Sequence, residues 1–157
     1  MSIPVVYDTM VFLQAASRPE RTHATFQAIR DGRVTLTVSA EILAEVQDVL
    51  NREEVHAKFP ALTPEAVGVF IADVLAHATL IDPVARVFTW PQHPDDDHLI
   101  NAAIAANARH LVTWETRLLK LGTDTTAAAK LLRQLAPNLT IITPRQLADA
   151  IRLPTGP

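Results

Sequence analysis

Short β-branched runs alternate along this chain with longer stretches of helical period. Residues 3–8, Ile-Pro-Val-Val-Tyr-Asp, predict a strand, with proline tolerated at its start and valines filling its middle. Thr9 to Ala16 is apolar enough for a short helix or a packed loop. Ser17-Arg18-Pro19-Glu20 reads as a helix start that runs to about Asp31, where Gly32 stops it. Val34 to Val38 is a second strand. Ser39 then caps a helix whose apolar stripe is Ile42, Leu43, Val46, Val49 and Leu50. A second stripe on that helix carries Glu41, Glu45 and Asp48. Asn51 to Pro60 is polar and includes a helix end. Thr63-Pro64-Glu65 starts a helix that runs to about Ala78. Residues 79–82 form a brief strand, stopped by Pro83.

The second half repeats the alternation. Residues 83–94 hold three prolines and read as a connection across one end of a sheet. An alanine-rich helix is expected from about Asp95 to Arg109, and a strand over residues 111–113. A short helix follows from Glu115 to Leu121, closed by Gly122, and then another from Thr125 to Ala136. Residues 139–142 form the last strand, a short helix starts at Thr143-Pro144-Arg145, and the tail from Leu153 is expected to fray. No Asn-Gly or similar hairpin signal joins two strands, so the sheet is mainly parallel, of about five strands, with helices on both faces. In such sheets, sites form beyond the carboxyl ends of the strands. Asp8, Ser39, Thr113 and Glu115 all fall there, and Asp97, at a helix N-terminus, can point to the same rim.

Composition narrows the chemistry. A chain of 157 residues, 48% apolar, is one domain with a real core. It has no cysteine, which removes disulfides, zinc thiolates and thiol nucleophiles and fits a reducing cytoplasm. The start, Met1-Ser2-Ile3-Pro4, lacks the basic-then-apolar pattern of a signal peptide. No stretch approaches the roughly 20 apolar residues of a membrane span. The formal charge of −3 argues against a nonspecific nucleic-acid binder but not against an enzyme that acts on nucleic acid, since carboxylates around metal ions lower the total. Only four glycines are present, with no Gly-x-Gly phosphate loop and no Gly-x-Ser-x-Gly elbow. The six histidines show no close ligand spacing; of them only His98 adjoins the rim.

The candidate acids for one site are Asp8, Glu45, Asp97 and Glu115. Each has an ordinary structural reading: a helix cap, a solvated helix residue, or an acid at the favourable end of a helix dipole. As a set at one sheet edge they would repel strongly unless cations neutralised them. Oxygen ligands of this kind suit Mg²⁺ or Mn²⁺.

Four segments in order resemble the PIN-domain family of metal-dependent nucleases, and within it the VapC-like toxins of bacterial toxin–antitoxin pairs. They are Val5-Val6-Tyr7-Asp8-Thr9, Ser39 through Glu45 to Arg52, Pro94-Asp95-Asp96-Asp97-His98 before an alanine-rich helix, and Leu111-Val112-Thr113-Trp114-Glu115. The interval of 18 from Asp97 to Glu115 matches the family and selects Asp97 over its two acidic neighbours. The resemblance covers residues 3–147. It implies a PIN-like three-layer α/β/α sandwich over 1–147, with 148–157 as a C-terminal tail.

The implied activity is hydrolysis of RNA phosphodiester bonds by a cytoplasmic, type II toxin-like ribonuclease using Mg²⁺ or Mn²⁺. Asp8, Glu45, Asp97 and Glu115 would be both the metal ligands and the catalytic acids. Thr9, Ser39 and Thr113 are candidates to hydrogen-bond those carboxylates. Arg52 and Arg117, with Arg18 and Arg109 beside them, are candidates for phosphate contacts. The implied partners are the RNA substrate, a cognate antitoxin covering the acidic rim, and a second copy of the chain. Val55, Phe59 and Phe70 are candidates for such protein contacts or for the core. Met10 stands where the family has a polar residue. Glu115 stands where it has aspartate, and Trp114 where glycine is common, a position from which an indole can stack on a base or pack over the next helix. Those departures predict weakened activity or a preference for Mn²⁺. The changes at Met10 and Glu115 also motivate an alternative, a binding or regulatory module on a PIN fold; a second alternative is a housekeeping nuclease of DNA or structured RNA.

Overall fold

The structure, a computed structural model, describes residues 2–18 and 24–152. Its centre is β1 (Ile3–Tyr7), in which Val5, Val6 and Tyr7 are wholly buried. Burial on both faces is what a continuous apolar run demands of a parallel strand. β2 (Val34–Ser39) and β4 (His110–Val112) flank it, β3 (Ala78–Ile81) lies outside β2, and β5 (Thr140–Ile142) lies outside β4. Every pairing is parallel; Val5 is opposite Leu36 on one side and Tyr7 opposite Val112 on the other. Helices cover both faces, giving the three-layer α/β/α sandwich.

The order β3-β2-β1-β4-β5 decides where a site can form. The chain builds outward from β1 through β2 to β3, then returns to place β4 on the other side of β1. Between β1 and β4 the connections leave in opposite directions, which opens a crevice beyond the strands' carboxyl ends.

The first three helices are α1 (Thr9–Ser17), α2 (Ala24–Arg30) and α3 (Ala40–Leu50). Ser17 ends α1, its hydroxyl donating to the Gln14 carbonyl. The expected start at Pro19-Glu20 lies outside the described residues. After α2, Gly32 at φ 73° lets the Arg33 and Gly32 N–H groups reach back to the Ala28 and Ile29 carbonyls. A left-handed residue is needed for that closure, and glycine adopts it without steric cost. On α3, Ile42, Val46 and Leu50 are buried, as its stripe predicts. The polar stretch after it contains α4 (Glu53–Lys58), followed by α5 (Pro64–His77), which Thr63 caps. Val55, Phe59 and Phe70 are partly buried and pack against the core.

After a 3-10 turn (Pro94–Asp96), α6 runs from Asp97 to Ala105, four residues short of the expected end at Arg109. Asn107 takes φ 49°, and the N–H groups of Ala108 and Asn107 return to the Ala103 and Ile104 carbonyls. Alanine content favours continuation, but Asn107 accepts the left-handed turn that lets the chain enter β4 at His110. Two short helices follow, α7 (Thr116–Leu121) and α8 (Ala127–Leu135). α9 (Pro144–Arg152) crosses the expected boundary between residues 147 and 148. Leu147 is buried and Ile151, one turn on, packs against the core, so the helix continues where a tail was expected.

On β4, His110 Nδ1 and Thr140 Oγ1 lie 2.6 Å apart, tying β4 to β5. Burial, and secondarily the Arg109 charge, holds the His110 pKa below its ordinary 6.5. Because protonation is harder in the folded chain, the unfolded chain takes up the proton first as pH falls through 6.5. Stability is therefore expected to decline from that point until the folded-state value is reached. His110→Gln removes this component, checked by urea unfolding at pH 7.5 and pH 5.5.

Candidate active site

Asp8 leaves the carboxyl end of β1 at the crevice. It caps α1, its Oδ1 accepting from the Thr9 N–H at 2.7 Å. Its Oδ2 accepts from the Thr113 hydroxyl at 2.7 Å, just past β4. Thr113 Oγ1 in turn accepts from the Glu115 N–H at 3.0 Å. One hydroxyl thus ties the two strand ends on either side of the crevice. The capping reading of Asp8 holds, and the cap leaves the carboxylate at the rim.

Glu45 comes from the middle of α3. Its Oε1 accepts from the Thr9 hydroxyl at 2.8 Å, and its Oε2 lies 2.9 Å from His98 Nε2. His98 Nδ1 is buried with no partner among the described residues. Asp97 begins α6 and is 5% exposed, with Arg86 3.8 Å away as its cation. Glu115 caps α7, and Arg117 bridges it to Asp96, donating from Nη1 to Glu115 at 3.0 Å and from Nε to Asp96 at 2.6 Å.

The electrostatics bind these groups together. Burial, above all, raises the Asp8 carboxyl; the Thr113 hydroxyl and Thr9 N–H pull it down; the charges of Glu115 and Glu45 push it up again. Glu45 is lowered, chiefly by the hydrogen bond from His98, against the opposing effect of burial. His98 is raised by the same bond, again against burial. The rim therefore holds negative charge that its own donors offset only in part.

Several sequence candidates stand elsewhere. Ser39 is buried, and its hydroxyl accepts from the Ile42 N–H as a helix cap instead of supporting a carboxylate. Arg109 precedes β4, at the opposite edge of the sheet, where its N–H donates to the Pro4 carbonyl. Arg18 follows the far end of α1, a helix length from the rim. Arg52 pairs with Asp48 at 2.8 Å on the solvent side of α3. Arg117 alone of the four touches a rim acid.

Asn101 and Arg86 escape a reading by motif. The Asn101 side chain accepts from the Val87 and Phe88 N–H groups and donates to the Phe88 and Asp97 carbonyls. It pins the proline-rich connection, with buried Phe88 and Trp90, against the first turn of α6. Its one sequence signal is position: four residues after Asp97, it shares that acid's helix face.

A parallel α/β sheet with Asp8 at its topological switch point, linked by Thr9 to Glu45 and by Thr113 to Glu115, places carboxylates where ligands bind in sheets of this kind. Comparison with known proteins carries this to a family: the PIN domain model matches residues 4–117, which include Asp8, Glu45, Asp97 and Glu115. The chain belongs to the PIN domain family, whose members are generally nucleases. No curated protein and no solved structure matches it significantly.

The carboxylate oxygens suit a hard divalent cation. Among the described residues, however, no three acids or histidines are drawn together at ligating distance. Glu45 is turned to Thr9 and His98, Asp97 faces Arg86, and Glu115 faces Arg117. The donor set fits the ion in chemistry, while its members are held by protein partners. Among the described residues, no helix is long and apolar enough to cross a membrane.

Proposed function

We propose that the protein is a Mg²⁺- or Mn²⁺-dependent endoribonuclease acting as the toxin of a type II toxin–antitoxin pair. One observation carries the reading: Asp8 sits at the switch point, linked through Thr9 to Glu45 and through Thr113 to Glu115. A partly buried acid kept beside other acids in a crevice is a candidate functional site.

Asp8, Glu45, Asp97 and Glu115 would hold the ion. When bound, it would lower the pKa of a water and neutralise charge on the scissile phosphate. The chain's own residues prepare the rest. Thr113 and Thr9 fix the orientations of Asp8 and Glu45, and His98 holds the second oxygen of Glu45. Asn101 fixes the turn that carries Asp97. Arg117 adjoins Glu115 and lines an open cleft with Lys120, Gln92 and His93, where a phosphate chain has donors in reach. An antitoxin would cover this rim with a basic side chain, and a second copy of the chain would complete a dimer; both come from the family likeness.

Purified protein is expected to cleave total RNA with Mg²⁺ or Mn²⁺ and to lose that activity in chelator, with cleavage positions mapped by end sequencing. The ion pairs that already occupy Asp97 and Glu115 favour a second reading, a PIN fold that binds without cutting. Absence of RNA cleavage together with no cation uptake in calorimetry would establish it. Cleavage of DNA alone would point to a processing nuclease.

A further inference from the structure

Trp114 stands between the two strand-end residues of the site, Thr113 and Glu115, and is 43% exposed. A single exposed apolar side chain is ordinary, but this one is aimed. Its indole Nε1 donates to Gln14 Oε1 on α1 at 2.6 Å. That bond satisfies the ring's one polar atom, so the exposed remainder of the indole is hydrocarbon. Met10, 39% exposed, lies one turn before Gln14, and residues four apart share a helix face. Asp8 caps the same helix two residues earlier, so this apolar surface adjoins the acids on both chain segments.

We propose that Trp114, flanked by Met10, is the platform on which one unpaired base of the substrate strand stacks beside the acidic rim. The proposal rests on the nuclease reading and adds to it a residue that selects and positions substrate. A base in a duplex is stacked on both faces and offers none to an indole; a base in a loop or single strand does. Stacking reads no hydrogen-bond edge, so the platform selects for unpaired structure with little preference among the bases. The bond to Gln14 restricts the Trp114 side chain before binding, which lowers the cost of ordering it.

The test uses Asp8→Asn protein, so that RNA survives, and a short unpaired oligoribonucleotide with a duplex of the same sequence. Trp114→Leu in this background is expected to weaken binding of the unpaired RNA roughly 5- to 100-fold. Trp114→Phe, which keeps an aromatic face, stays much nearer the parent, and duplex binding is unchanged in both. Tryptophan emission should be quenched as the parent saturates, and the larger part of the quench should be lost in Trp114→Phe, because the remaining Trp90 is 6% exposed although it lines the cleft beside Arg117. Equal affinity of Trp114→Leu and parent, or an unquenched parent at saturation, overturns the proposal. So does loss of self-association in Trp114→Leu with RNA affinity intact, which would make the patch a protein interface. If the wild-type protein cuts no RNA while these binding results hold, the platform stands and the nuclease reading falls.

Discussion

Asp8→Asn is expected to lower RNA cleavage by at least about 100-fold, the scale of losing one preorganised electrostatic contact to a transition state. The same change is expected to keep or raise thermal stability. Asparagine preserves the shape, can still accept from the Thr9 N–H, and can pair with the Thr113 hydroxyl. The folded-state pKa of Asp8 is raised, with burial the main cause. A carboxyl harder to ionise in the folded chain weakens the fold once it ionises. That cost is absent below the unfolded value of 3.8, grows as pH rises through it, and is fully present above the folded value. Removing the charge removes the cost. Cleavage assays paired with thermal melts at pH 7 check both halves. A variant that loses activity and melts lower would show Asp8 to be a structural cap whose loss disturbs α1.

Asn101→Ala is expected to destabilise the protein by about 2–4 kcal/mol, because buried backbone groups left without partners cost about 1–3 kcal/mol each and local relaxation recovers part. The groups at stake are the Val87 and Phe88 N–H and the Phe88 carbonyl, beside a phenylalanine with no exposed surface. At roughly 2–4 °C per kcal/mol for a chain of this size, the melting temperature should fall by about 5–15 °C. Urea unfolding gives the free energy directly. Cleavage should drop beyond what unfolding explains, since the Asp97 turn loses its clamp. A loss under about 1 kcal/mol would mean that packing of Phe88 and Trp90, not Asn101, holds the connection.

Much of the fold was readable because parallel strands and the helices over them are dictated by local pattern. Val5-Val6-Tyr7 could only be a strand buried on both faces, and the stripe of Ile42, Val46 and Leu50 could only face a core. Ends read less well. The stop at Asn107 and the extension of α9 through Ile151 depend on a left-handed turn and on a docking surface, neither of which a periodicity contains. The hydroxyls divide for the same reason. Ser39 and Thr113 both sit at strand ends, but Ser39 faces the free N–H of its own helix while Thr113 faces Asp8 across the crevice.

By itself the sequence determined the alternation of strands and helices, the parallel sheet, and the type and spacing of the acids Asp8, Glu45, Asp97 and Glu115. These follow from short-range periodicity and from family-like segments, which survive without knowledge of distances. Only the tertiary structure decided which partners hold those acids: Thr113 on Asp8, Thr9 and His98 on Glu45, Arg86 on Asp97, Arg117 on Glu115. It also decided that Gln14 aims Trp114 across 100 residues of chain. Contacts that join distant segments depend on how the helices settle on the sheet to within an ångström or so, since hydrogen bonds and ion pairs fail beyond that tolerance.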